Sequence, residues 1–393
     1  MPLDIVLGIA SLSRMNNDRH FVPVIFRAVL VLAVIGLAAC TDRSYTPVTP
    51  EALQVGTPKT IFAATVRERG PDDSFGSGRS DSYSLLELTV SIPPSHQPGQ
   101  LDFAYAKPDP RTQFTMAGRR VFDDPADFRA RLKTEIGHLP RDQREVTVFV
   151  HGFNSTQAET TFRAAQLAQD IQLPGAMMVF SWPSKGNPLG YAYDEDSVLF
   201  ARDGLEKMLR QIRSAGVGRI VLVAHSMGSQ LVMETLRQIE IQTPGWSTAN
   251  LNGVVLMSPD LDIDVFKSQM SRIKNIPQPF IIFVSSKDKL LSISSRLRGT
   301  HSSERLGNLS SLDAVAGLPI NIIDTTAFSD DAVSSHLVVG TSPALIAMLN
   351  SARKTADALG RDKVLLDNLL PGKVSKSGGT TQIDLRNASA EDR

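Results

Sequence analysis

The sequence predicts an α/β protein, a mostly parallel central sheet with helices on both faces. Six short runs, 146–150, 176–180, 220–224, 253–257, 280–284 and 320–323, are apolar without alternation, as strands buried on both faces are. Between them lie stretches of helical spacing, 157–171, 194–214 and 228–239, the second placing Val198, Leu205, Leu209 and Ile212 on one face. A chain of 393 residues is long enough to bury one such domain with decorations.

At the N-terminus Arg14, Arg19 and Arg27 precede the apolar run 28–39. That run has the length of a signal-peptide core and falls short of the roughly 20 residues that span a bilayer, so residues 1–39 are expected to be a signal peptide. The run ends Leu37-Ala38-Ala39-Cys40 and resembles the bacterial lipobox. The resemblance implies lipidation of Cys40 and a membrane partner through that N-terminal anchor. With about 0.8 kcal/mol per buried methylene, several acyl chains hold a protein on a membrane stably. The implied location is the bacterial cell envelope, facing the periplasm.

Residues 40–57, polar and proline-containing after the cysteine, read as a tether, and the folded domain is expected over 58–358. Its first strands are expected at 60–66 and 85–92, with a turn-rich segment between them. The stretch 96–142 is less regular, with helical spacing only at 125–136 through Phe128, Leu132 and Ile136. A last helix is expected near 343–358. Residues 359–393 are read as a polar tail, its end at 373–393 rich in Gly, Ser, Thr and charges and expected to be disordered.

Composition excludes several function classes. Lysine plus arginine and aspartate plus glutamate both number 41, so no overall field attracts nucleic acid, and none is expected as a partner. Cys40 is the only cysteine and has no disulfide partner within the chain. The seven histidines show no paired ligand spacing, and neither a metal nor another cofactor is expected.

The chemistry-bearing segment runs from Ile220 through Ala224-His225-Ser226-Met227-Gly228. A buried strand, a serine in a sharp turn and a helix make a nucleophile elbow, which needs small residues two positions either side because the backbones nearly touch. Ala224 and Gly228 meet that demand. Ser74, Ser184, Ser214 and Ser377 also precede a glycine by two, yet none has a buried strand before it and a helix after it. Ser226 is therefore the expected nucleophile. A hydroxyl needs a base to take its proton and an acid to orient that base. In elbow-bearing sheets the chain order is serine, acid, histidine. His336, the last histidine and beyond the last of the apolar runs, is the expected base. Asp288, just after the run 280–284, is the expected acid, and Asp260, one strand earlier, competes for that role. A tetrahedral oxyanion needs two backbone N–H donors. Met227 is the expected first, and Phe153 in the loop His151-Gly152-Phe153-Asn154 the second.

Seven blocks in order, VSIPPSHQPG near residue 90, VFVHGFN at 148, FSWPSKG at 180, YAYDEDS at 191, VAHSMGS at 223, MSPDLDIDVF at 257 and SSKDKLLSISSRLRG at 285, resemble a bacterial branch of the α/β-hydrolase superfamily of unknown function. The resemblance runs from about Ile61 to Leu349. It implies the α/β-hydrolase fold and a serine-hydrolase constellation, and it brings no substrate with it. Trp182 is expected in the wall of the substrate pocket, Asp194 at a helix N-cap and Arg305, just past the last block, on a solvated basic face. The expected activity is hydrolysis of a small-molecule or lipid ester through an acyl-enzyme. Thioester or amide hydrolysis by the same residues, or a non-catalytic envelope lipoprotein on this scaffold, are the alternatives.

Overall fold

In the computed structural model the described residues are 43, 45–140, 143–297, 305–309, 311–329, 336–359 and 368–386. The signal-peptide and Cys40 readings fall outside them. None of the described helices is long and apolar enough to cross a membrane.

The continuous apolar runs become the central parallel strands: β4 (Glu145–Val150), β5 (Ala176–Ser181), β6 (Arg219–His225), β7 (Val254–Met257), β8 (Phe280–Val284) and β9 (Asn321–Asp324). Ahead of them β1 (Thr57–Arg69), β2 (Phe75–Ile92) and β3 (Thr115–Phe122) form an antiparallel meander. A hairpin of β10 (Gly372–Ser377) and β11 (Thr380–Leu385) closes the chain. Among the described residues one sheet of eleven strands runs in the order β10-β11-β9-β8-β7-β6-β4-β5-β1-β2-β3. It is parallel from β1 through β5, β4, β6, β7, β8 and β9 to β11.

Two apolar clusters lie on the two faces of this sheet. One takes Val146, Val148 and Val150 of β4 with α1 (Pro125–Gly137), α3 (Tyr191–Ser214), α4 (Gly228–Gln242) and α6 (Ile263–Met270). The other takes Phe149 of β4 with α2 (Gln157–Asp170), α8 (Val338–Thr341) and α9 (Pro343–Leu359). Short α5 (Trp246–Asn250) and α7 (Lys289–Leu297) are the remaining α-helices among the described residues. Alternate residues of one strand thus face opposite cores, and the expected layering of helices on both faces holds.

Four expectations change. Residues 372–385, read as part of a disordered tail, are β10 and β11, and β11 pairs in parallel with β9. Their polar alternation is that of strands at a sheet edge, with Thr380, Ile383 and Leu385 turned inward and buried. The segment read as a tether is fastened: Thr49 N–H donates to Met116 O at 2.8 Å, Arg119 Nη2 to Thr46 O at 3.2 Å, and Ala52 is buried. Strand β3 occupies part of the stretch read as irregular, and β2 reaches back to Phe75 through residues read as a turn. That outer half of β2 is mostly half-buried and polar, with Phe75 its one buried residue, so no apolar pattern marks it.

Candidate active site

The sheet delivers the expected residues to its carboxyl edge, where ligands bind in open α/β sheets. Ser226 follows β6 in the left-handed region at φ +52°, a strain of about 1–3 kcal/mol for a residue with a side chain. Asn154 after β4 and Ser258 after β7 share that conformation, at φ +57° and +46°. The elbow is as crowded as its sequence demands. A methyl group at Gly228 would meet His151 O at 2.4 Å, and one at Gly152 would meet Ser226 Cβ at 2.9 Å. Hence the loop 151–154 lies directly against the elbow. The Met227 N–H precedes the first turn of α4, where helix donors have no intrahelical partner. Neither it nor the Phe153 N–H donates to another group among the described residues.

Asp288 and His336 are paired as expected, with His336 Nδ1–H donating to Asp288 Oδ2 at 2.7 Å. The carboxylate is buried and the imidazole partly so. No hydrogen bond joins Ser226 Oγ to the His336 ring. The link between them is His225, whose Nε2–H donates to His336 O at 3.0 Å and whose ring meets that of His336 edge-on at 4.8 Å. Burial, then the nearby His336, holds the His225 pKa well below the usual histidine range, so it serves as a neutral brace.

Asp260 is engaged elsewhere. It accepts from Tyr191 Oη at 2.8 Å and Ser294 Oγ at 2.7 Å, and Arg305 Nε lies 3.3 Å away. Arg305 is itself buried, a correction to the solvated basic face expected for it. Segment 305–309 is stitched over β7 and β8, with Gly307 N–H donating to Pro259 O and Ser285 N–H to Gly307 O.

Two further expectations are overturned. Trp182 has no exposed surface, stacks on the His151 ring at 4.8 Å and donates from Nε1 to His151 O at 2.8 Å. It supports the backbone of the loop behind the site and lines no open pocket. Asp194 is not an N-cap, because α3 starts three residues earlier with Gly190 in that position. Its carboxylate, 0 % exposed, accepts from Ser184 Oγ at 2.6 Å, Lys185 N–H at 2.6 Å and Asn154 N–H at 3.3 Å. Burial raises its pKa despite those donors.

Asp194 is one of four loop supports, of which sequence reasoning misses Arg67 and Arg43 altogether. Arg67, also buried, donates to Ser181 Oγ, Gly76 O, Ser184 O and Ser155 O at 2.8–3.0 Å, and burial lowers its pKa only to about 10, so it keeps its charge at neutral pH. His151 lies between Gly152 O at 2.8 Å and Trp182 O at 3.1 Å. Burial and the neighbouring Arg67 push its pKa down to about 3, which keeps it neutral. Arg43 braces the loop from outside, Nη1 to Asn154 Oδ1 at 2.8 Å and Nη2 to Asn154 O at 3.2 Å. An arginine inside the apolar end of a strand was the one readable signal, at Arg67. Arg43 lay in a segment taken for a tether.

An elbow serine, a histidine–carboxylate pair and a braced donor loop on this sheet define an α/β hydrolase. The family described as "Alpha/beta hydrolase of unknown function (DUF900)" matches residues 126–353, more than half of the chain, which belongs to that family. Among solved structures it is similar to an esterase from Pyrococcus furiosus, at 10% identity and a TM-score of 0.31 over 78% of this chain and 95% of that one. An overlap that loose carries no functional argument. No curated protein matches.

Proposed function

We propose that this protein is a serine hydrolase that cleaves a carboxylic ester through an acyl-enzyme. The observation that carries the reading is the strained Ser226 on the β6–α4 elbow with the Asp288–His336 pair built beside it. Ser226 Oγ attacks the carbonyl carbon as its proton passes to His336 Nε2. Asp288 steadies the imidazolium through Nδ1–H. The oxyanion is received by the Met227 and Phe153 N–H groups, a stabilisation worth several kcal/mol. Collapse expels the alcohol, which takes the proton from His336. Water then attacks the acyl-enzyme with His336 again as base, releasing the acid and restoring Ser226.

A fluorophosphonate probe tests this directly. It should label Ser226 in the folded protein and leave Ser226→Ala unlabelled, in step with p-nitrophenyl butyrate turnover. An unlabelled parent ends the serine-hydrolase reading. From the lipobox resemblance ending at Cys40 we further propose that the protein is lipid-anchored in the bacterial envelope and faces the periplasm. Palmitate incorporation should appear in the parent and disappear in Cys40→Ala.

A further inference from the structure

The edge of the site is strapped to the chain that follows Cys40. Arg43 stands three residues after that cysteine, and its guanidinium ties three segments together. Nη1 donates to Asn154 Oδ1 and to Gly186 O, each at 2.8 Å, and Nη2 donates to Asn154 O at 3.2 Å and to Glu159 Oε1 at 2.6 Å. Nε donates to Glu159 Oε1 at 3.0 Å and Tyr105 Oη at 3.2 Å. Asn154 directly follows the candidate oxyanion donor Phe153, and Gly186 belongs to the loop 185–190. In that loop Leu189 is 95% exposed, the most exposed large apolar side chain among the described residues. Lys185 of the same loop is exposed as well.

Chain length supplies the second argument. Three residues span at most about 11 Å, so a chain held at Cys40 by lipid keeps the Arg43 backbone within about that distance of the anchoring point, and the loops it grips lie one arginine side chain farther out. The apolar run 28–39 before the cysteine sets the same limit if it remains attached. An isobutyl group raised on an exposed loop beside a lysine suits a bilayer surface, with the apolar tip among acyl chains and the cation among phosphates. We infer that the loop 185–190 seats on the bilayer in which the chain is anchored, and that the substrate is an acyl ester resident in that bilayer. The docking half rests on the N-terminal anchor, and the substrate half rests also on the ester-hydrolase reading.

The full chain, reconstituted in vesicles of phosphatidylethanolamine and phosphatidylglycerol, tests the two halves separately. For docking, the fluorescence of a Leu189→Trp variant should be quenched by acyl-brominated lipids well beyond that of Ile241→Trp. Ile241 is 56% exposed near the end of α4 away from the elbow. Equal quenching in the two variants overturns the docking, and so does a dimer that buries position 189 in place of lipid. For the substrate, Leu189→Asp should lower turnover of a long-chain ester carried in the vesicles about tenfold, the partitioning lost with one leucine side chain. Turnover of soluble p-nitrophenyl acetate should stay unchanged. Equal effects on both esters overturn the substrate half. Quenching of the Leu189→Trp variant together with a parent that hydrolyses neither ester upholds docking and defeats the ester reading.

Discussion

Asp194 has no exposed surface and accepts from Asn154 N–H, Lys185 N–H and Ser184 Oγ. An asparagine there has the same shape but turns an N–H₂ toward donors, leaving at least one without an acceptor in a buried place. With the amide nitrogen in the Oδ2 place the displaced donors include the backbone next to Phe153, and in the Oδ1 place the displaced donor is Lys185 N–H on the facing loop, so either way the error falls beside the oxyanion donor loop. We expect Asp194→Asn to lower kcat about 10–100-fold, less than the loss of a whole oxyanion donor, with KM little changed. A matching rise in KM, or an unaltered kcat, would show that the carboxylate only supports the fold. The acid assignment is tested alongside it. Asp288→Asn should cost about 10³–10⁴ in kcat because the histidine loses the acceptor of its Nδ1–H. Asp260→Asn, removed from His336 by its own bonds to Tyr191 and Ser294, should reduce stability while turnover per folded molecule persists. The opposite pattern of turnover reverses the assignment.

The β6–α4 elbow was legible because its steric demands are local: an apolar strand, two small residues and a helix within one short stretch. The order of Asp288 and His336 was legible because each follows a buried strand whose apolar run is unmistakable. Other elements depend on partners that sequence spacing does not reveal. Asp194 looked like an N-cap because the turn before it, Tyr191-Ala192-Tyr193, lacks an apolar periodicity, yet Tyr191 packs on Phe153 at 5.3 Å and starts α3. The β10–β11 hairpin was invisible because an edge pair needs few apolar residues, and its burial comes from β9 alongside. Ile383, fully buried opposite Ile323, carries much of that joint. Truncation of Ile383 to alanine should destabilise the protein by about 2–4 kcal/mol, the usual cost of a buried isoleucine, seen as a lower urea midpoint. A midpoint equal to the parent's would mean that the tail does not pair with the sheet.

Across the whole molecule, stability should depend on pH through histidines that the fold keeps neutral. The His151 pKa is pushed down to about 3 and that of His225 lies well below its usual value, burial being the leading cause for both. An unfolded chain protonates both near pH 6.5. Below that pH the unfolded state binds more protons than the folded one, so unfolding becomes easier as pH falls, and the stability is fully present only above about 6.5. At about pH 5 His151 gives up about 2 kcal/mol, and His225 adds a loss of the same sign. Asp194 works in the opposite sense, since its raised pKa favours the protonated folded state as pH falls through it. Two buried histidines against one buried carboxylate set the net trend between neutrality and about pH 5. Urea midpoints followed by far-ultraviolet circular dichroism should be level above about pH 7 and fall steadily below about 6.5. A midpoint constant down to about pH 5 would mean that one or both rings accept a proton without unfolding, and the neutral braces proposed for the elbow and the donor loop would have to be given up.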